Sequence, residues 1–336
     1  MKLSAFLLLL CASLATAASP LRVLVSSDDA AARTALAALL NERGAQAKAV
    51  PAVEAAQLAT ADVLLAVLPK LNDDWSKSAA VAAASSNPAP VIEAALALAG
   101  APSPALIKLA TALAAALAEK QDGSSLARVV IAAARTGSAA APLARSVLAA
   151  AASKPAPAPG DTAGLDAALK TLLASSDIAM AANALPFAAA WSASDALKTL
   201  VAERINAFLP LLADGAQPDA TRSAVVLGLV RARAADARIV PAALGLLQSK
   251  VSDALLLDTL AAFAATGDPA LGKPLTAALP KLSPLGQGAA FDALATRAEW
   301  ANAVLDALEA HALKPALLGP SRLSKLRLHP DAAAGK

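Results

Sequence analysis

The sequence predicts a mainly α chain: an α-solenoid of stacked helix pairs, preceded by a small βαβαβ parallel-sheet unit. Three observations point there. Hydrophobic side chains make up 57% of the 336 residues, yet only 2% are aromatic and none is tyrosine. Alanine and leucine supply most of that content, and both favour helix over strand. From Asn87 onward, proline opens one segment after another, as in "NPAPV" (87–91), "SPAL" (103–106), "DPAL" (268–271) and "SPLG" (283–286). Proline in the first helical turn sacrifices no bond, because that N–H has no helical partner. The Ser or Asp before it can accept from the free N–H groups of the same turn. Finally, the segments have similar lengths, short connections and related apolar stripes, for example Leu255, Leu256, Leu260 and Phe263. Consecutive antiparallel helices at a steady pitch describe a repeat array, and an irregular helical bundle is the competing architecture.

Residues 1–17, "MKLSAFLLLLCASLATA", read as a signal peptide. Lys2 precedes an apolar run over 5–14, and Ala15-Thr16-Ala17 supplies small residues for cleavage after Ala17. The run is too short to span a bilayer. Leu10 stands before Cys11 where a lipid-attachment signal requires a small residue. The expected product is secreted or periplasmic, with no membrane span after cleavage. Cys11 is the only cysteine. Its removal leaves no disulfide, thiol nucleophile, zinc–cysteine site or haem-attaching C-x-x-C-H, and packing alone must hold the mature chain.

Residues 18–70 form the α/β unit. "PLRVLVSS" (20–27) is a strand, 30–44 a helix capped by Gly44, 45–52 a second strand, 53–61 a short helix, and "DVLLAVLP" (62–69) a third strand. Strands that alternate with helices make a parallel sheet. Residues 71–153 are the first helical repeats, with helices expected at 89–99, 103–119, 123–135 and 138–153. A Pro/Ala/Gly linker, "KPAPAPGDTAG", covers 154–164. A second repeat region, 165–331, holds helices at 165–175, 177–190, 194–213, 219–233, 237–248, 252–265, 269–279, 284–296, 298–310 and 320–328, and 332–336 are a tail.

The sequence carries no catalytic constellation. The turn after the first strand, "SSDDAAART", lacks the glycines of a dinucleotide fingerprint, and neither H-E-x-x-H nor G-x-S-x-G occurs. The two histidines, His311 and His329, have no partners for the three or four ligands of a metal site, so no metal and no cofactor are expected. The formal charge is +3, with charged residues at 16%. The basic residues are scattered rather than clustered, which argues against nucleic acid. Four carboxylates are the candidates for ligand binding. Asp28 and Asp29 follow the first strand, where open sheets place ligands, and equally cap the helix that follows. Asp73 and Asp74 stand beside Trp75 in the manner of a sugar site, or as exposed loop charges. In "ATRAEWANAVLDALEAHALKP" (295–315), Trp300 falls at helical spacing with Val304, Leu305 and Leu308. Trp300, Arg297 and Leu305 are therefore expected as a structural anchor.

That segment also carries a resemblance. "LSPLGQGAAFDALATRAEWANAVLDALEAHALKPALLGPSRLSKLRLHPD" (282–331) resembles the last HEAT-like repeats of large secreted bacterial multidomain proteins. In that family a sugar-dehydrogenase-like or other module is joined through such repeats to a C-terminal haem-binding c-type cytochrome domain. The likeness extends in pattern over about 165–331, where "QPDATRSAVVLGLVRAR" (217–233) sets an Asp and then an Arg ahead of an apolar face. The stretch "LRVLVSSD…DVLLAVLP" resembles the start of a ThuA-type (trehalose-utilisation) module. The resemblance implies a HEAT-like α-solenoid serving as scaffold or spacer, with a protein partner such as a c-type cytochrome or dehydrogenase module. No propeller precedes the repeats and no C-x-x-C-H follows them, so the family's haem chemistry transfers to no residue. The "LHPD" of 328–331 is expected to be the turn where such an array runs on towards the cytochrome domain. Two alternatives stand beside the scaffold: a remnant sugar-related enzyme or carbohydrate-binding module on the N-terminal unit, and a fragment of the larger haem protein.

Overall fold

The computed structural model describes residues 7–11, 22–26, 46–49, 84–85, 87–98, 100–154, 156–160, 164–192 and 194–328, the first three segments as backbone only. Strand β1 (Leu7–Cys11) pairs antiparallel with β2 (Arg22–Ser26), which pairs in parallel with β3 (Gln46–Ala49) in the register Arg22↔Gln46 to Val25↔Ala49. A parallel pair requires a crossover between its strands. The strand expected at 62–69 and the helices expected at 30–44 and 53–61 lie outside the described residues. Strand β1 belongs to the uncleaved chain, since it falls within the expected signal peptide.

The rest of the described chain is helical. Helices run α1 (Pro88–Leu96), α2 (Pro104–Lys120), α3 (Gly123–Ala134), α4 (Ala141–Ala151), α5 (Leu165–Leu173), α6 (Ile178–Trp191) and α7 (Asp195–Ala213). They continue as α8 (Asp219–Arg231), α9 (Ile239–Gln248), α10 (Asp253–Thr266), α11 (Gly272–Ala278), α12 (Pro284–Leu294), α13 (Ala298–Glu309) and α14 (Pro315–Arg327). Each helix expected between 89 and 328 has a counterpart. The expected caps form: Ser103 accepts from the Leu106 N–H at 3.2 Å, and Ser283 from Gly286 at 3.2 Å. Asp177, Ser194 and Ser252 do the same for α6, α7 and α10. Such a cap is typically worth ~1 kcal/mol.

Three expected helices differ in detail. Those predicted at 138–153 and 269–279 each open with a 3₁₀ turn, 138–140 and 269–271, before α4 and α11 begin. The last begins five residues early, at Pro315, and is broken at Gly319, whose φ of 73° and ψ of 168° are not helical. Pro320 causes the break, because a residue before proline is driven out of the α region.

The chain divides into two compact units, Met1–Ala151 with Ala156–Ala168, and Ala152–Pro155 with Leu169–Lys336. In the first, α1 packs beside α3 and α2 beside α4. In the second, α6, α8, α10 and α12 lie side by side in one layer, and α7, α9, α11 and α13 in another. Within these layers each helix lies beside its next-but-one neighbour in the chain. The core between layers is aliphatic and aromatic: Val225, Val226, Leu229, Leu255, Phe263, Phe291 and Leu294 are all buried.

Small residues set how closely these helices approach. Pro186 sits inside α6 and has no N–H, so the Ala182 carbonyl loses the donor that a regular helix would give it. Gly228 of α8 faces that carbonyl, and a Cβ built there would overlap the oxygen and lie 2.8 Å from the carbonyl carbon. The glycine hydrogen occupies the only space available, directed at the orphaned oxygen, which is the geometry of a weak C–H···O contact. The two sequence features that look least helical, an interior proline and an interior glycine, therefore match one another across the α6–α8 contact.

Candidate functional site

Polar contacts in these helices recur at nearly constant spacing. Ser223 Oγ donates to Asp258 at 2.6 Å and Arg233 Nε to Asp268 at 2.9 Å, each pair 35 residues apart. Arg238 reaches Asn206 at 2.6 Å across 32 residues, and Lys325 reaches Asp292 at 2.9 Å across 33. In the first unit, Arg128 meets Glu93 at 2.9 Å, and a second bond between them spans the same 35 residues. A fixed offset of this kind follows when one two-helix unit is stacked on the next.

Arg222 has a different role. It is 6% exposed. Its Nε and Nη2 donate to the Leu212 carbonyl at 3.1 and 2.7 Å, and Nη1 lies 3.4 Å from Asp219. Leu212 is in the last turn of α7, where carbonyls lack helical donors. The Asp–x–x–Arg at the start of α8 therefore ties the end of one helix to the beginning of the next. Arg222→Met nearly keeps the volume and removes both bonds to the Leu212 carbonyl together with the contact to Asp219. We expect it to lower stability by about 1.5–3 kcal/mol, measured by urea unfolding.

Trp300 lies at the other end of the second unit. It is fully buried on α13, its indole N–H donates to the Asp268 carbonyl at 2.8 Å, and its ring lies against Gly272 of α11. Arg297 is exposed, with its guanidinium 5.7 Å from the centroid of the Trp300 ring and against Gly267. Leu305 is half-buried, and Val304 beside it is fully buried. Asp268 joins three elements: its carboxylate takes the Arg233 guanidinium and the Ala270 N–H, and its carbonyl takes Trp300. Burial alone would raise its carboxyl, but the Ala270 N–H and Arg233 outweigh burial and hold it below the usual value. A depressed carboxylate contributes stability above its unfolded pKa of about 3.9 that is lost as pH falls through the folded value. Asp268→Asn should therefore flatten the acid side of a stability–pH curve below about pH 4, read by urea midpoints, and leave the slope above pH 6 unchanged.

Beside Trp300, helices α11 and α13 leave an open cleft. One part, of about 260 Å³, is lined by Lys273, Thr276, Pro280, Ala303, Asp306 and Leu313 among others. The other, of about 330 Å³, adds Pro269, Ala270, Glu299 and Asn302, and shares Lys273, Ala303 and Asp306. Alanine forms the floor and charge the rim. Thr276 is 4% exposed and its Oγ1 has no hydrogen-bond partner.

Asp28, Asp29, Asp73 and Asp74, and His329 with them, lie outside the described residues. His311 takes a left-handed conformation, φ 57°, just after α13, and its N–H closes the turn onto the Leu308 carbonyl at 3.1 Å. Among the described residues, no group of three or more His, Cys, Asp or Glu is placed to hold a metal ion, and no helix is long and apolar enough to cross a membrane. In the sequence, Asp268 stands out only as a helix start in "DPAL", and Lys273, Glu299 and Asp306 do not stand out at all. The 35-residue interval from Arg233 to Asp268 is the available signal for the first. Nothing in the local pattern of the other three distinguishes them from solvated helix faces. Compared with family models, curated proteins and solved structures, the chain matches none.

Proposed function

We propose that the chain is a HEAT-like α-solenoid scaffold, carried behind a small βαβαβ unit, that binds another protein outside the cytoplasm. The recurrence of side-chain contacts at 32–35 residues through two layers of helices carries this reading. The interval is shorter than the roughly 40–47 residues common in HEAT arrays, in keeping with helices as short as α9 and α11, which have 10 and 7 residues. The Asp219–Arg222 tie between consecutive helices supports it further. Stacked helix pairs present long continuous surfaces and need no reactive residue to be useful. The leader-like first 17 residues support secretion or a periplasmic location, and the likeness of 282–331 to the repeats of secreted haem proteins supports a c-type cytochrome or dehydrogenase module as the partner. The test is capture from periplasmic and secreted fractions on the tagged mature chain, followed by haem staining and protein identification. A haem-staining or dehydrogenase partner enriched over an unrelated helical-repeat bait is the expected result. Equal recovery on both baits would overturn the reading.

A further inference from the structure

The Pro/Ala/Gly stretch is expected from its composition to be a free linker, yet its described part, 156–160, lies on the first unit. Its sequence is Ala156-Pro157-Ala158-Pro159-Gly160. Proline fixes its own φ near −65°, and each alanine that precedes one is driven to extended or polyproline II backbone. Residues 156–159 accordingly form neither helix nor strand. Ala156 and Pro159 are half-buried, whereas Pro157, Ala158 and Gly160 are exposed. An interval of three is the period of a polyproline II helix laid with one edge against a surface. That surface is the first turn of α3. A Cβ built on buried Gly123 would overlap the Pro157 carbonyl oxygen and stand 3.5 Å from both the Pro157 carbonyl carbon and the Pro159 nitrogen. Gly123 has no left-handed φ, so its backbone could carry a side chain. Asp122 already caps the helix through the Ser125 N–H at 3.1 Å. The close approach of Pro157 is what calls for glycine at 123.

We propose that residues 156–160 are a strap that closes onto α3 at Gly123 and opens without unfolding a helix. Pro157 and Pro159 have no N–H, so no ladder of main-chain bonds can fasten the strap. Three of its five residues face solvent, and a segment with so few buried contacts opens at low free energy. The prolines keep the opened strap extended, so closing it again orders little chain. Closed, the stretch 154–164 is pinned at Pro157. Open, it is a tether that reaches up to about 3.3–3.6 Å per residue. The fold thus holds a connector of two lengths, and the missing side chain at Gly123 permits the shorter one.

The test uses the full chain with Cys11→Ser and Ala158→Cys, the new thiol carrying a nitroxide label read by electron paramagnetic resonance. Ala158 is exposed, so the label stays clear of the contact. Without further change the label should show restricted motion. Gly123→Ala should shift it to the fast motion of a free tether on the nanosecond scale. The same substitution should leave helical circular dichroism intact and should not lower Tm, because alanine suits a helix better than glycine. Gly137, with nothing within 4 Å of where a Cβ would stand, is the control. Gly137→Ala should leave the label restricted. The proposal is overturned by fast motion before Gly123 is changed, or by restricted motion after it. A loss of helical signal together with release of the label also overturns it, since strap and helix would then open as one. So does release by Gly137→Ala, which would mean that Gly123 is not the seat.

Discussion

Trp300→Ala is expected to lower the unfolding free energy by about 3–5 kcal/mol, the range for removing a large aromatic side chain from a core. The residue is fully buried, and three separate losses coincide in this one substitution. The cavity would open between α11 and α13, because the ring lies directly against Gly272. The Asp268 carbonyl would lose the indole N–H that meets it at 2.8 Å. Arg297, whose guanidinium lies over the ring, would lose its platform. Trp300→Phe separates these effects. It retains most of the packing and leaves one carbonyl without its donor, which costs about 1–3 kcal/mol. Urea unfolding of the two variants should rank them in that order. A Trp300→Ala protein that unfolds at the wild-type midpoint would remove Trp300 from its place as the anchor of the second unit.

Gly228→Ala is the second large effect, and its sign carries the information. Within an ordinary helix, replacing glycine by alanine stabilises by roughly 0.5–1 kcal/mol. Gly245 on α9 has open space around it, with nothing within 4 Å of where a Cβ would stand, so Gly245→Ala should show that gain. At Gly228 the added methyl would run into the Ala182 backbone. A main-chain carbonyl cannot swing aside as a flexible side chain can, so α6 and α8 must separate. The expected cost is about 1–3 kcal/mol or more, the range for overpacking a close contact. Opposite shifts in urea midpoint for these two chemically identical substitutions are the expected result. A gain at both positions would mean that α6 and α8 do not approach as closely as described.

Most of the helical layout was legible in the sequence, for a physical reason. Ser or Asp before Pro is a local signal, and the cap bonds of Ser103 and Ser283 form within four residues of the chain. Apolar spacing identified Trp300 as a core residue, since only a buried side chain needs that periodicity. The contacts that tie one helix pair to the next were not legible, because they join residues over thirty positions apart. Arg233 and Asp268 look like a scattered cation and a helix cap until the stacking brings them to 2.9 Å. Pro186 and Gly228 each weaken the local case for a helix, and only their juxtaposition explains both. Leu305 shows the limit of periodicity in another way. It shares the spacing of Val304, yet it is half-buried where Val304 is fully covered, because position on a helix face gives direction and not the depth of the neighbour. The cleft charges Lys273, Glu299 and Asp306 come from two different helices and line one cleft only in the folded array.

The central claim is that helix pairs stack in register, each next-but-one helix lying beside the last. Ser223 and Asp258 test it most directly, since their side chains meet at 2.6 Å across α8 and α10. In a chain with Cys11→Ser, cysteines placed at 223 and 258 should be joined in high yield by a short bifunctional thiol reagent. Cysteines at 223 and 265, two turns or about 10.5 Å further along α10, should be joined poorly or not at all. Equal yields for the two pairs, or a preference for 265, would contradict the stacking on which the scaffold reading rests.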